Sequence, residues 1–249
     1  MEPVPAFAKL LQPHLRRTDW DDFPDVVIHA EEPAVKKHLR YAAAKSGDVL
    51  AAHQLVVETM TWEALNQISQ LLGTSKPRLL AVQAFETEGM NVIPRVLAQI
   101  LAKELGLVVT NGILQINRVS HTGSSGYHRL AFPALFDGTV SEAEYFLVDD
   151  FIGQGGTLAN LKGFVESHGA KVSGATALTG KAYSAKLDLT DETLQSLRRK
   201  HGNELEQWWL DTFGYRFERL TESEARYLAR ADDAHAISAR IVAARGERN

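Results

Sequence analysis

Residues 144–169, EYFLVDDFIGQGGTLANLKGFVESHG, constrain the fold more than any other stretch of the chain. The apolar run Tyr145 to Val148 leads into two adjacent carboxylates, Asp149 and Asp150. A glycine-rich turn follows, and from Thr157 helix-forming residues run on to Gly169. A short apolar run bounded by turn residues suits a buried strand. With AKVSGATALTG behind it, the pattern is strand, helix, strand. Upstream, RLLAVQAF reads as a strand, GMNVIPRVLAQILAKELG as a helix closed by Gly106, and LVVTNGILQI as one or two strands. Strands alternating with helices require a parallel sheet joined by right-handed crossovers. The expected class is α/β, an open and mostly parallel sheet with helices on both faces, spanning 76–185.

Both ends read as helical additions. EEPAVKKHLRYAAAKSG has Pro33 near its start and Gly47 at its end, the usual punctuation of a helix. DVLAAHQLVVETMTWEALNQISQLLG carries apolar residues at helical spacing and ends at Gly73. Residues 1–75 are therefore expected to form a helical N-terminal extension. Residues 44–48, AKSGD, read as a helix C-terminus, because no strand precedes them as a phosphate loop requires. From LTDETLQSLRRKHG onward, 186–249 is expected to pack on the core as helices, with Thr221 to Glu224 forming a capping box.

Composition excludes some classes. There is no cysteine, so no disulfide and no thiolate metal site. No window is apolar for 18 residues and the N-terminus has no apolar leader, so a cytoplasmic protein with no membrane span is expected. The net charge of −4 gives no general reason to expect nucleic acid.

Ligands of open parallel sheets bind beyond the carboxyl ends of the strands. Asp149 and Asp150 stand at such an end. Gly153, Gln154, Gly155, Gly156 and Thr157 follow, where converging backbone N–H groups and a helix N-terminus suit a phosphate. Carboxylates touching that phosphate would repel it. They are suited to accepting hydrogen bonds from sugar hydroxyls, with or without a divalent cation. No Gly-Lys-Ser/Thr follows the glycines, and the acidic pair precedes them, so neither a Walker loop nor a dinucleotide fingerprint is present.

FLVDDFIGQGGTLANL resembles the phosphoribosyl-diphosphate-binding motif of type I phosphoribosyltransferases, and the resemblance extends over about 78–180. It implies that Asp149 and Asp150 hold the ribose hydroxyls and that residues 153–157 wrap the 5′-phosphate. It places a pyrophosphate loop at Ala84–Asn91, with Gly89, Met90 and Asn91 opening a helix and Arg95 one turn in. It makes NRVSHTGSSGYHRLAFPALFDG a flexible loop that closes over the site with Arg118, His121, His128 and Arg129. Asp149, Asp150, His121 and Arg129 are the implied catalytic residues. The implied reaction displaces pyrophosphate from phosphoribosyl diphosphate by a nitrogenous acceptor. Mg²⁺ is bound mainly through the substrate, so no protein metal ligand is named. The family also implies a homodimer, and a variable hood for the acceptor, to which residues 1–75 or Trp208, Trp209, Phe213 and Tyr215 are candidates. The plainer reading of those four aromatics is a packed helix.

One position departs from the pattern. In the 6-oxopurine members the third residue after the acidic pair is an Asp that works on the base, and here it is Gly153. An alternative is a regulator that binds phosphoribosyl diphosphate or a nucleotide through the same fold without turnover. A phosphoribosyl-diphosphate synthase-like kinase ranks below both, because no second nucleotide site is visible.

Overall fold

The computed structural model describes residues 1–11, 14–86, 89–117 and 125–246. After a short helix, α1 (Ala8–Leu11), the chain departs from the expected all-helical start, because β1 (Val27–Glu31) is a strand of the main sheet. The boundary expected at residue 75 is therefore not a boundary of the sheet. β1 is short and lies at an edge, and its stability comes from β9. The hydroxyls of Thr176 and Thr179 donate to the carbonyls of Val27 and Ala30, both at 2.7 Å.

Four helices follow: α2 (Glu32–Lys36), α3 (Tyr41–Lys45), α4 (Val49–Thr59) and α5 (Trp62–Leu72). α4 and α5 start on side-chain caps, Asp48 accepting from Ala51 N–H and Thr61 from Ala64 N–H. β2 (Arg78–Ala81) then leads to a small hairpin of β3 (Phe85–Glu86) and β4 (Gly89–Met90). α6 (Ile93–Leu105) ends at Gly106 in the left-handed region, φ 64°. β5 (Val108–Thr110) and β6 (Ile113–Gln115) come next, then α7 (Gly126–Ala131) and β7 (Phe136–Gly138), which pairs with β6. β8 (Glu144–Ile152), α8 (Gly156–Glu166) and β9 (Lys171–Gly180) are the strand, helix and strand of the central motif. The tail consists of α9 (Asp191–Phe213), broken at Gly202, then α10 (Glu222–Ala229) and α11 (Ala234–Gly246).

Five strands form one sheet in the order β1-β9-β8-β2-β5, and every pairing in it is parallel. This is the α/β class expected. Side chains on a strand alternate between faces, and the core divides accordingly. Leu79, Ala81, Phe146 and Val148 pack with α4, α5 and α6 on one face. Leu80, Val82, Tyr145 and Leu147 pack with α8 on the other. A separate cluster joins α1, α7, α9, α10 and α11, so the tail has its own core. β8 is central in the sheet and buried on both faces, which fixes the two aspartates at its carboxyl end.

Candidate active site

Asp149 and Asp150 are 5 % and 7 % exposed, unusual for adjacent carboxyls. The backbone N–H of Asp150 donates to Asp149 Oδ1 at 2.8 Å. The two carboxyls have different surroundings. Burial, and then the neighbouring Asp150 charge, push the Asp149 carboxyl well above the usual carboxylate range. Burial acts on Asp150 in the same direction but is outweighed, because Lys45 Nζ donates to Asp150 Oδ2 at 3.1 Å, and Asp149 and Asn91 also support the charged form. One carboxyl is thus held ionised and its neighbour tends to keep a proton.

Lys45 was not among the residues expected here. It belongs to the AKSGD segment, which does end a helix, α3, as expected. The same segment also packs on the β3–β4 hairpin. Gly89 has φ 139°, and a Cβ there would stand 2.4 Å from the Ser46 carbonyl oxygen. Gly89 and Met90 are therefore strand residues rather than the opening of a helix, and α6 begins only at Ile93. Asn91 is buried, and its Oδ1 accepts from Ile93 N–H at 3.2 Å. Arg95 is exposed on α6, with no ion pair among the described residues. Asn91 is thus brought to the aspartates by its contact with Asp150, whereas no contact ties Arg95 to them.

The glycine loop turns where expected. Gly155 has φ 81° and forms the N-cap of α8. The backbone N–H groups of residues 153–157 donate to no acceptor among the described residues, so the end of α8 offers its donors outward. The loop is braced from behind by the tail. Thr221 Oγ1 donates to the Gln154 carbonyl at 2.6 Å, and a Cβ on Gly156 would stand 2.7 Å from Glu224 Oε1. Glu224 is held in turn by Arg17 through two hydrogen bonds of 2.8 and 2.9 Å, and Arg17 Nε donates to Asn160 Oδ1 at 2.6 Å. The capping box at Thr221–Glu224 is present. Its legible signal was local, and its contact with the loop was not.

Of the expected flexible loop, Arg118 and His121 lie outside the described residues. The described part is more ordered than a long loop. Ser125 caps α7, which carries His128 and Arg129. The His128 ring lies against Phe132, with centroids 4.6 Å apart. Arg129 reaches the glycine loop, and a Cβ on Gly153 would stand 3.0 Å from its Nη1. The missing side chain at Gly153 leaves that space to a guanidinium. Trp208, Trp209, Phe213 and Tyr215 are buried in the tail core, which bears out their plainer reading and leaves no ring free to stack on a ligand.

Among the described residues no cluster of three or more His, Cys, Asp or Glu could hold a metal, and no helix is long and apolar enough to cross a membrane.

No family model matches the chain. Protein TraN of Escherichia coli is 39% identical over 232 residues, covering 93% of this chain and 52% of that protein. An uncharacterized protein of Haemophilus influenzae is 40% identical over 151 residues, covering 60% of this chain and 34% of that one. The chain thus spans about half the length of the first relative and about a third of the second. Similar solved structures include adenine phosphoribosyltransferases. That of Thermoanaerobacter pseudethanolicus has a TM-score of 0.31 at 20% identity over 52% of this chain and 74% of its own. That of Leishmania donovani has a TM-score of 0.32 at 13% identity over 74% of this chain and 72% of its own.

Proposed function

We propose that the chain binds 5-phosphoribosyl 1-diphosphate with Mg²⁺ and transfers the phosphoribosyl group to a nitrogenous acceptor, releasing pyrophosphate. One observation carries this reading. Two buried carboxyls end a central parallel strand, one short turn before a glycine loop whose N–H groups have no acceptor among the described residues. A sugar phosphate satisfies both halves, its 5′-phosphate on the loop and its hydroxyls on the carboxyls.

In the reaction the bond from C1 to the diphosphate oxygen breaks and a bond from C1 to the acceptor nitrogen forms. The nitrogen's proton passes to solvent or to the departing diphosphate. Asp150, kept ionised by Lys45, accepts a hydrogen bond from a ribose hydroxyl and holds the sugar as charge builds at C1. With its proton given up to solvent, Asp149 would accept from a second ribose hydroxyl or help to hold Mg²⁺. Arg129 lies beside the loop, in reach of the anionic parts of the substrate. The donor set fits Mg²⁺, because two carboxyls with substrate oxygens suit an ion that binds largely through phosphates. When bound, Mg²⁺ supplies charge neutralisation of the leaving diphosphate.

The test is pyrophosphate release by the full chain from phosphoribosyl diphosphate with Mg²⁺ and a panel of bases. Release that needs a base and is lost in Asp150→Asn supports the transferase. Binding without release for every base supports the regulator.

A further inference from the structure

The anion site has two parts that are distant in sequence, the glycine loop before α8 and Arg129 on α7. α7 has only 6 residues, too few for a helix to stand alone in water, so its place is set by what packs on it. α10 touches both parts. Thr221, its N-cap, Glu224 and Tyr227 follow at intervals of three residues, which aligns them along one side of the helix. Thr221 donates to the Gln154 carbonyl, and Glu224 stands against Gly156. One turn further, the Tyr227 ring closes on the start of α7, where a Cβ on Gly126 would stand 2.3 Å from its Cζ. The rings of Tyr127 and Tyr227 meet edge to face, with centroids 5.0 Å apart. Burial and the neighbouring Tyr127 raise the pKa of the Tyr227 hydroxyl, while the backbone N–H groups of Tyr127 and Gly126 act the other way. That hydroxyl therefore faces the open N–H end of α7. Arg129 N–H donates to the Ser125 carbonyl at 3.2 Å, so Arg129 belongs to the turn on which the ring stands.

α10 is built as a strut. The capping box closes its first turn. At its other end Lys200 Nζ donates to the Ala229 carbonyl at 2.9 Å, and His201 Nε2 to the Leu228 carbonyl at 3.1 Å. From Thr221 to Tyr227 the helix rises about 9 Å, and this fixed length separates the Gln154 carbonyl from Gly126. Arg129 Nε is buried and has no acceptor among the described residues, so no hydrogen bond from Nε fixes the guanidinium beside Gly153. Its place follows from the place of α7.

We propose that Tyr227 is a positioning residue of the anion site, and that its ring, standing on Gly126, holds α7 so that Arg129 faces the glycine loop at Gly153. The proposal rests on the reading of that loop as a phosphate cradle, and it adds a residue from the helical tail to the site.

The experiment is calorimetric titration of the full chain with ribose 5-phosphate, and with phosphoribosyl diphosphate and Mg²⁺. The proteins are the parent, Arg129→Gln, Tyr227→Leu, Gly126→Ala, Tyr227→Phe and the double variant Tyr227→Leu with Arg129→Gln, with circular dichroism as the check on folding. Arg129→Gln should weaken at least one ligand about tenfold, a factor of order one charge-assisted contact. Tyr227→Leu, which removes the ring, and Gly126→Ala, which pushes it away, should each weaken the same ligand several-fold. The double variant should bind no more weakly than Arg129→Gln alone, because one residue acts through the other. Tyr227→Phe keeps the ring and should recover most of the affinity. Losses that multiply in the double variant, parent-like binding by both Tyr227→Leu and Gly126→Ala, or parent-like binding by Arg129→Gln overturns the proposal. A measurement without ligand separates the proposal from the reading beneath it. The ¹⁵N signal of the Arg129 Nε–H group, identified by its loss in Arg129→Gln, should exchange slowly with water in the parent and in Tyr227→Phe. In Tyr227→Leu and Gly126→Ala it should exchange about tenfold faster or more. Equal exchange in all four proteins overturns the proposal even where the ligands bind. If neither ligand binds the parent and exchange follows the ring, the phosphate reading falls and the positioning of Arg129 stands.

Discussion

Replacing Lys45 by Met keeps the side chain's apolar length and removes the charge that faces Asp150. The Nζ to Oδ2 distance is 3.1 Å, and the two side chains are 19% and 10% exposed. At an effective dielectric of about 20, that separation is worth roughly 5 kcal/mol of gross attraction. This attraction offsets the burial penalty on the carboxylate. In Lys45→Met the remaining hydrogen bonds from Asp149 and Asn91 are too weak to offset the penalty, and the carboxyl escapes it by taking a proton. The ordinary pKa of the group is 3.8. Holding such a carboxyl protonated costs about 4 kcal/mol at pH 7 and about 1.6 kcal/mol at pH 5. The destabilisation by Lys45→Met should therefore shrink by between 2 and 3 kcal/mol, as an order of magnitude, from pH 7 to pH 5. Urea unfolding of parent and variant at both pH values measures it, with Lys45→Arg, which keeps the charge, as the control. A penalty equal at the two pH values within about 0.5 kcal/mol would refute the claim that Lys45 holds Asp150 ionised.

Three further outcomes are expected. Gly155→Ala should destabilise the fold by about 2 kcal/mol or more in urea unfolding, because φ is 81° and the new Cβ would stand 2.2 Å from Leu187 Cδ2. Arg17→Met should cost about 3–5 kcal/mol by leaving Glu224 charged and buried, and the double variant Arg17→Met with Glu224→Met should cost less than the single one. His29 is buried without hydrogen-bond partners for either ring nitrogen among the described residues, and burial pushes its pKa from 6.5 down to about 4. It stays neutral in the fold and charges when unfolded, so stability should be intact above pH 6.5 and fall on acidification towards pH 4. The loss attributable to this group is about 3 kcal/mol, and His29→Leu should abolish that part of the pH dependence.

The central motif was legible because its signals are local. An apolar run, an acidic pair, a glycine turn and a helix occupy one continuous stretch, and β8, α8 and β9 lie where that pattern puts them. β1 was not legible, since its five residues carry little periodicity and are held by hydrogen bonds from β9, far away in sequence. The residues that complete the site are equally distant. Lys45 is 105 positions from Asp150, and Arg17 is 207 from Glu224. A capping box announces a helix start without showing what its hydroxyl will touch, and here Thr221 touches Gln154. Arg129 was read as part of a mobile loop, yet Ser125 starts a helix that carries it to Gly153. The glycine that seemed only to lack a functional side chain makes room for that guanidinium.

Calorimetric titration with phosphoribosyl diphosphate and Mg²⁺ tests the central claim most directly, on the parent chain and on Asp149→Asn and Asp150→Asn. The account predicts saturable one-site binding to the parent, in the micromolar range of about −8 kcal/mol, and at least tenfold weaker binding to Asp150→Asn. No binding to the parent, or binding indistinguishable among the three proteins, would contradict it.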